Sequence, residues 1–309
     1  MSQQHQPVLF KEVLHALAVV PDGVYLDATL GRGGHSRGIL QQLSTRGRLL
    51  MLDKDPHAIT YAQQEFGTDP RVTIYHSSFA HAQMWIEQLD LMGKLNGILM
   101  DLGVSSPQLD NAGRGFSFNH DGPLDMRMDT SQGLDAATWL AHASAEEMMD
   151  VFKRYGEERF AKRIAQAIVR QRINQPLCTT RQLAEIVAAA NPAWEKHKHP
   201  ATRVFQAIRI FINRELEDLQ IGLAQSLDML AIGGRLAVIS FHSLEDRIVK
   251  QFMRHQEQGQ TLPAKLPIRH SEINQRLRRV GKAIKPEKAE IAHNPRARSA
   301  ILRVAEKIS

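Results

Sequence analysis

The sequence predicts an α/β chain: a doubly wound, mostly parallel, Rossmann-like sheet carrying an inserted all-helical domain. Three observations point that way. Short apolar runs at residues 24–27, 49–53, 72–76 and 97–101 alternate with stretches of helical periodicity, the pattern of parallel strands joined by crossover helices. After Asp101 the alternation stops. A Gly- and Pro-rich stretch over 103–133 gives way to amphipathic helical patterns over 144–172 and 180–190, without a strand signal. It resumes with a helix over 201–230, a strand over 233–241 and a last strand over 299–305. The expected organisation is a sheet domain in two parts, 1–106 and 213–309, around a helical insertion at 107–212. Such an insertion follows the carboxyl end of a strand, where open α/β sheets bind ligands.

The first strand ends at Asp27 and breaks into Gly31, Gly33 and Gly34 just before a helical pattern. All three glycines are expected to take positive φ and let the backbone approach a ligand, with helix N–H groups following. The second apolar run ends in Asp53, about twenty residues past the glycines, where a carboxylate reaches a ribose diol. A nucleoside-like cofactor is the expected ligand, although the glycines alone are also compatible with a sharp structural turn. The dinucleotide fingerprint asks for a third glycine where this chain has Ser36, and it does not require Asp27. Asp-x-x-x-Gly-x-Gly is instead similar to the first motif of S-adenosylmethionine methyltransferases. The sequence contains no G-x-x-x-x-G-K-[ST], which argues against a P-loop.

With 309 residues, 43% of them apolar, the chain can bury one large core or a core plus a smaller domain. No run approaches eighteen apolar residues and the first residues lack signal-peptide character, so a cytoplasmic protein without a membrane segment is expected. One cysteine, Cys178, allows no internal disulfide or multi-cysteine zinc site; its expected role is packing, and no metal is expected. The net charge is +6, and its distribution is uneven. Residues 150–214 hold thirteen Lys or Arg against five acids. Any one of these is compatible with a solvated helix face, but a one-signed cluster suits a phosphate-binding surface, with Arg163, Arg170 and Arg203 as candidate contacts. Aromatics at 6% do not support a bank of stacked bases. The polar stretch 256–267 reads as a loop.

Three constellations have the residue types for chemistry. Asp101-Leu-Gly-Val-Ser-Ser-Pro-Gln108 leaves the fourth strand, placing Asp101, Ser105 and Ser106 where an acceptor would meet the cofactor. Amino-group methyltransferases usually carry [Asp/Asn/Ser]-Pro-Pro-aromatic there. This chain keeps the acid, delays the proline to Pro107 and omits the aromatic, leaving Phe116, Phe118 or Phe241 as candidates to stack on a base. Ser240-Phe-His-Ser-Leu-Glu-Asp-Arg247 is either a helix start with acids in its first turn or a site in which His242 binds substrate or takes a proton. In Asn294-Pro-Arg-Ala-Arg-Ser299, Arg296 and Arg298 alternate, so in an extended chain they would face one side and hold phosphate or pair with the preceding acids.

Taken with His5-Gln-Pro-Val-Leu9, Arg114-Gly-Phe-Ser-Phe118, Gly122-Pro-Leu-Asp-Met-Arg-Met128, Tyr155-Gly-Glu-Glu158 and His199-Pro-Ala-Thr-Arg203, these strings resemble the bacterial 16S rRNA (cytosine-N4)-methyltransferase family, RsmH or MraW, nearly end to end. The resemblance implies methyl transfer from S-adenosyl-L-methionine to the exocyclic N4 of one cytidine in the decoding region of 16S rRNA within the small ribosomal subunit. It also implies that Gly33, Gly34 and His35 line the cofactor, Asp53 its ribose, Phe79 and Asp101 its adenine end or the neighbouring cleft, and Gln108 its methionine side. Phe79 and Gln108 enter only through the resemblance. Because the N4 lone pair is delocalised into the ring, Asp101 is expected to orient the amine, and the base must be unstacked to reach it. The chain is expected to be a monomer or homodimer. The alternatives are a methyltransferase acting on DNA or a small molecule, and a non-catalytic, cofactor-holding RNA-binding assembly factor.

Overall fold

In a computed structural model of the chain, residues 7–194, 199–259 and 274–309 are described. The first half alternates as its apolar runs require: α1 (Phe10–Leu17), β1 (Val24–Asp27), α2 (Gly34–Leu40), β2 (Arg48–Asp53), α3 (Pro56–Phe66), β3 (Val72–His76), α4 (Ala82–Gln88) and β4 (Leu95–Asp101). Seven helices follow: α5 (Ser106–Asp110), α6 (Ala136–His142), α7 (Ala145–Gly156), α8 (Ala161–Asn174), α9 (Thr180–Ala190), α10 (Ala201–Asn213) and α11 (Glu215–Met229). The chain then returns to the sheet through β5 (Leu230–Ser240), α12 (Ser243–Gln258), β6 (Leu277–Arg279), α13 (Lys288–His293) and β7 (Ile301–Lys307). Two compact units result, one of Met1–Gly103 with Leu216–Ser309, the other of Val104–Glu215.

The sheet unit orders its strands β3-β2-β1-β4-β5-β7-β6, with β1 to β5 parallel and β7 antiparallel to both its neighbours. Residues alternate between two apolar layers, as a sheet covered on both faces demands. Leu26, Leu50, Leu52, Ile98, Met100 and Val238 enter one layer; Tyr25, Leu49, Met51, Leu99, Ala237 and Ile239 enter the other. Register decides where the chemistry can be. Asp27 pairs with Met51 and Leu99, Asp53 with His76 and Asp101 with Ile239, so the acids that end β1, β2 and β4 come out along one edge.

In the helical unit, Asn213 joins distant segments. Its Nδ2 donates to the Met126 and Arg209 carbonyls at 2.8 Å each, and its Oδ1 accepts from the Met128 N–H at 2.7 Å. Gly156 lets the end of α7 press against α10, because a Cβ there would crowd the Arg203 carbonyl oxygen.

Several expectations need correction. The pattern over 144–172 is two helices, since Glu157 takes a left-handed φ of 49° and its N–H closes on the Lys153 carbonyl. The pattern over 201–230 breaks likewise at Arg214, φ 51°. Neither break carries a glycine at the left-handed position, which is why periodicity ran through both. Cys178 is exposed, so the packing role does not hold. The last strand runs over Ile301–Lys307 and is preceded by a 3₁₀ turn at Pro295–Ser299. With three residues per turn, Arg296 and Arg298 diverge instead of sharing a side. In the stretch 256–267, α12 extends to Gln258, and residues 260–267 lie outside the described residues, as do His5 and Gln6 of the first family string.

Because Asn213 is buried and satisfies three backbone groups, Asn213→Ala is expected to lower stability by about 2 kcal/mol. Urea unfolding followed by circular dichroism reads the change, and an unaltered midpoint would remove Asn213 from this bridging role.

Candidate active site

The glycine turn is held by acids on both sides. Asp27, only 1% exposed, accepts from the Ser36 hydroxyl at 2.6 Å and from the Thr29 N–H at 3.2 Å. Burial pushes its carboxyl above the usual range, the Ser36 bond opposing the shift and the Asp101 charge adding to it. Across the turn, Asp53 accepts from the Gly31 N–H and the Asp55 N–H, each at 2.8 Å. Its pKa is raised to about 6, chiefly by burial, against the pull of those two bonds. Gly31 and Gly33 have φ of 53° and 64°. Gly34, expected to share this conformation, does not: it opens α2, and a Cβ there would run into Pro7. At Gly33 a Cβ would meet the Phe66 ring at 2.5 Å, so this glycine serves packing as well as the turn.

Beyond the turn stand His35 and Asp101. The Asp101 N–H donates to Thr29 Oγ1 at 2.6 Å, tying the end of β4 to the segment after β1. His35 stacks on Phe10, ring centroids 6.1 Å apart, and its Nε2 lies 3.6 Å from Asp101 Oδ2. Both His35 nitrogens and Asp101 Oδ1 are buried without a hydrogen-bond partner in the protein. Buried polar atoms are nearly always satisfied, so three orphans on two neighbouring side chains make this a place for water or a ligand to complete. Gly103 then turns the chain out of β4 with φ 90°.

Phe79 follows β3 and is buried against Gly222 of α11, where a Cβ would meet its ring at 2.6 Å. Ser78 Oγ and Lys54 Nζ both donate to Asp218 Oδ2, at 2.7 and 2.9 Å, so α11 pins the exits of β2 and β3 together. Sequence reading missed this clamp, since Asp218 is one acid among several on an amphipathic helix and carries no local signature.

Other expected site residues are engaged in local structure. Gln108 is buried in the helical unit, and its Oε1 accepts from the Ser105 N–H at 2.8 Å, a capping arm at the start of α5; Ser106 is the first residue of that helix. His242 caps α12, its Nδ1 accepting from the Glu245 N–H at 3.4 Å, with Nε2 at 3.1 Å from Glu245 Oε1. Glu245 is buried and accepts from the Phe241 and His242 N–H groups. The motif is therefore a helix start with acids in its first turn, and His242 is its cap. Asp246 pairs with Arg303 at 2.7 and 3.0 Å, not with Arg296 or Arg298. Arg163 and Arg170 are exposed, two turns apart on α8, whereas Arg203 donates to the Glu157 carbonyl at 2.7 Å. Phe116 is buried, and Phe118 packs between His199 and Phe205. Among the described residues no group of three His, Cys, Asp or Glu could hold a metal, and no helix is long and apolar enough to cross a membrane.

The family model described as the MraW methylase family matches residues 2–308. The chain belongs to the MraW methylase family. It is 57% identical over 306 residues to a ribosomal RNA small subunit methyltransferase H from Legionella pneumophila (strain Paris), covering 99% of each chain. It is 58% identical to the protein of that name from Chromohalobacter salexigens, covering 99% of this chain and 92% of the other. A third relative, from Coxiella burnetii (strain RSA 331 / Henzerling II), is 55% identical over 307 residues, 99% of this chain and 100% of its own.

For an MraW methylase the residues present fit S-adenosylmethionine. Asp53 offers a carboxylate beside the glycine turn, and His35 and Asp101 offer polar atoms that make no hydrogen bond within the protein. Asp27, Asp53 and Asp101 share one strand edge, a charge distribution that favours a ligand with a positive centre.

A carboxylate holds two ribose hydroxyls as acceptors only when ionised, and the raised pKa of Asp53 puts the loss of its charge near pH 6, so a ribose role for Asp53 makes a testable demand. As pH falls through this value the proton competes with the ribose. Cofactor affinity is therefore expected to drop about tenfold between pH 7 and pH 5. Asp53→Asn should bind weakly with a flat profile. Isothermal titration across that range checks both, and a flat wild-type profile would exclude Asp53 as the ribose acceptor.

Proposed function

We propose that the chain transfers the methyl group of S-adenosyl-L-methionine to the exocyclic N4 of a cytidine in the decoding region of 16S rRNA, within the small ribosomal subunit. The observation that carries this reading is the His35–Asp101 pair, whose buried orphan atoms stand just beyond the glycine turn at the end of β4. Relatives that are 55–58% identical and bear the name of small-subunit rRNA methyltransferases supply the acceptor class. A reaction in the cytoplasm follows from this reading, since its substrate is the ribosome.

When bound, the cofactor supplies a methyl group made electrophilic by its positively charged sulfur. Asp101 accepts a hydrogen from the N4 amine through the free Oδ1, favouring the pyramidal nitrogen whose lone pair can attack. The Thr29 hydroxyl holds the Asp101 backbone, so the carboxylate is positioned before the base arrives. With the cofactor bound, transfer of its methyl group to N4 would leave a surplus amine proton for water to take up, while Asp101 would keep the amine oriented. Ser105, Ser106 and Gln108 shape the loop after Asp101. His242 sets the start of α12 after β5. The helical unit supplies the RNA surface, with Arg163 and Arg170 on the open face of α8 contacting phosphates.

The purified chain, radiolabelled cofactor and small ribosomal subunits from cells lacking the modification test the reading directly. Label is expected in N4-methylcytidine at one position. Tight cofactor binding without labelled RNA would favour an assembly factor instead. Asp101→Asn is expected to bind the cofactor within about threefold of wild type and to lose at least about a hundredfold in kcat. Full turnover by that variant would remove Asp101 from the reaction. Arg163→Ala with Arg170→Ala should weaken RNA binding and lower the slope of log affinity against log salt by about two.

A further inference from the structure

Of the eighteen Phe, Tyr and Trp rings in the sequence, all lie among the described residues and one is exposed. Trp194 is 62% open to solvent, while Trp139 is buried and Trp85 stacks on Tyr75 at 4.3 Å. An indole left in water forgoes a large apolar contribution that a stacking partner would recover.

Trp194 is the outer member of a column of rings in the helical unit. His199, itself exposed, lies 6.0 Å from it with the two rings tilted by 53°, Phe118 is 4.6 Å from His199, and Phe205 meets Phe118 edge-on at 4.9 Å. The inner end is fixed, since Phe205 is only 5% exposed. His199 is held at the start of α10, its Nδ1 accepting from the Ala201 N–H at 3.1 Å. The exposed indole thus adjoins a chain of rings anchored at Phe205, and it belongs to the segment with thirteen basic residues against five acids. In sequence Lys196, Lys198 and Arg203 follow it, against Glu195 alone. An exposed indole on a chain segment rich in Lys and Arg matches an unpaired nucleotide, whose base stacks while its phosphate is neutralised.

We propose that Trp194 is a stacking contact for an unpaired base of the RNA substrate, with the His199–Phe118–Phe205 rings as its support. The proposal deepens the rRNA reading and rests on it for the identity of the RNA. It differs from the sequence-based expectation, in which Phe116, Phe118 or Phe241 takes that role: Phe116 is buried and Phe118 is already an inner member of the column.

The test uses the full chain, a single-stranded oligoadenylate, a duplex RNA of equal length and small ribosomal subunits. Oligoadenylate is expected to quench the emission of Trp194 and the duplex to leave it nearly unchanged. Trp194→Ala should bind oligoadenylate about tenfold more weakly and raise KM for the subunits, with Trp194→Phe restoring most of the loss. Cofactor affinity and the melting temperature should not move, which separates stacking from misfolding. An unquenched indole, or an unchanged KM for Trp194→Ala while wild type methylates the subunits, would overturn the proposal. So would a variant whose oligomeric state changes while its RNA affinity does not, because the ring would then belong to a contact between copies. Failure of the methylation reading looks different: wild type would transfer no methyl group while Trp194-dependent binding to the oligonucleotide persisted.

Discussion

A carboxylate with almost no access to water holds the cofactor edge of this protein. Asp27 ends β1, and the Ser36 hydroxyl and Thr29 N–H close onto it from either side of the glycine turn. Without those two donors the buried charge would be costly, and with them the turn has one shape. Everything functional on this edge is referred to that shape. Thr29 receives the Asp101 N–H, Gly31 donates to Asp53, and His35 follows the turn into α2. The departure from the dinucleotide fingerprint is thus one device in two places: the serine that replaces the third glycine is the donor that the unexpected acid requires.

The helical unit follows a different logic. Many of its family strings are junctions where backbone meets backbone. Gly115 and Gly122 stand where side chains would strike the Pro123 and Ala112 carbonyls, and Gly156 meets the carbonyl of Arg203. Several arginines of this unit, two of them within the basic segment 150–214, are likewise internal. Arg172 holds the Leu140 and Ala143 carbonyls, Arg114 those of Arg127 and Met128, and Arg209 is paired with Glu215. The charges left in solvent are fewer than composition suggests, with Arg163 and Arg170 on α8 among them.

How legible the chain is depends on the range of each cause. The parallel strands were legible because burial on both faces forces continuous apolar runs, and the Gly31–Asp53 relation because it spans one β-α-β unit. The breaks at Glu157 and Arg214 were not, because tertiary packing imposes a left-handed conformation on residues that do not advertise it. The short β6 carries only three residues, too few for a period. The clamp of Lys54 and Ser78 on Asp218 links positions more than a hundred residues apart, and no local pattern foretells it. Cys178 was misjudged because type predicts burial only on average, and here the neighbouring backbone pairs with Leu124 and Gln182 while the thiol faces water.

The placement of β4 beside β5 bears on how the chain folds during synthesis. These neighbours are separated by roughly 130 residues of helical chain, so joining them through an unstructured loop would cost about 4 kcal/mol in closure entropy. Asp27, His35, Asp53, Phe79 and Asp101 all leave the ribosome before that span does. The nascent half-sheet β3-β2-β1-β4 therefore waits with one flank of β4 unpaired, an exposed edge prone to wrong pairing. Prompt collapse of the helical segment shortens the effective loop and limits that interval, so its folding rate governs the yield of a sheet to which it contributes no strand.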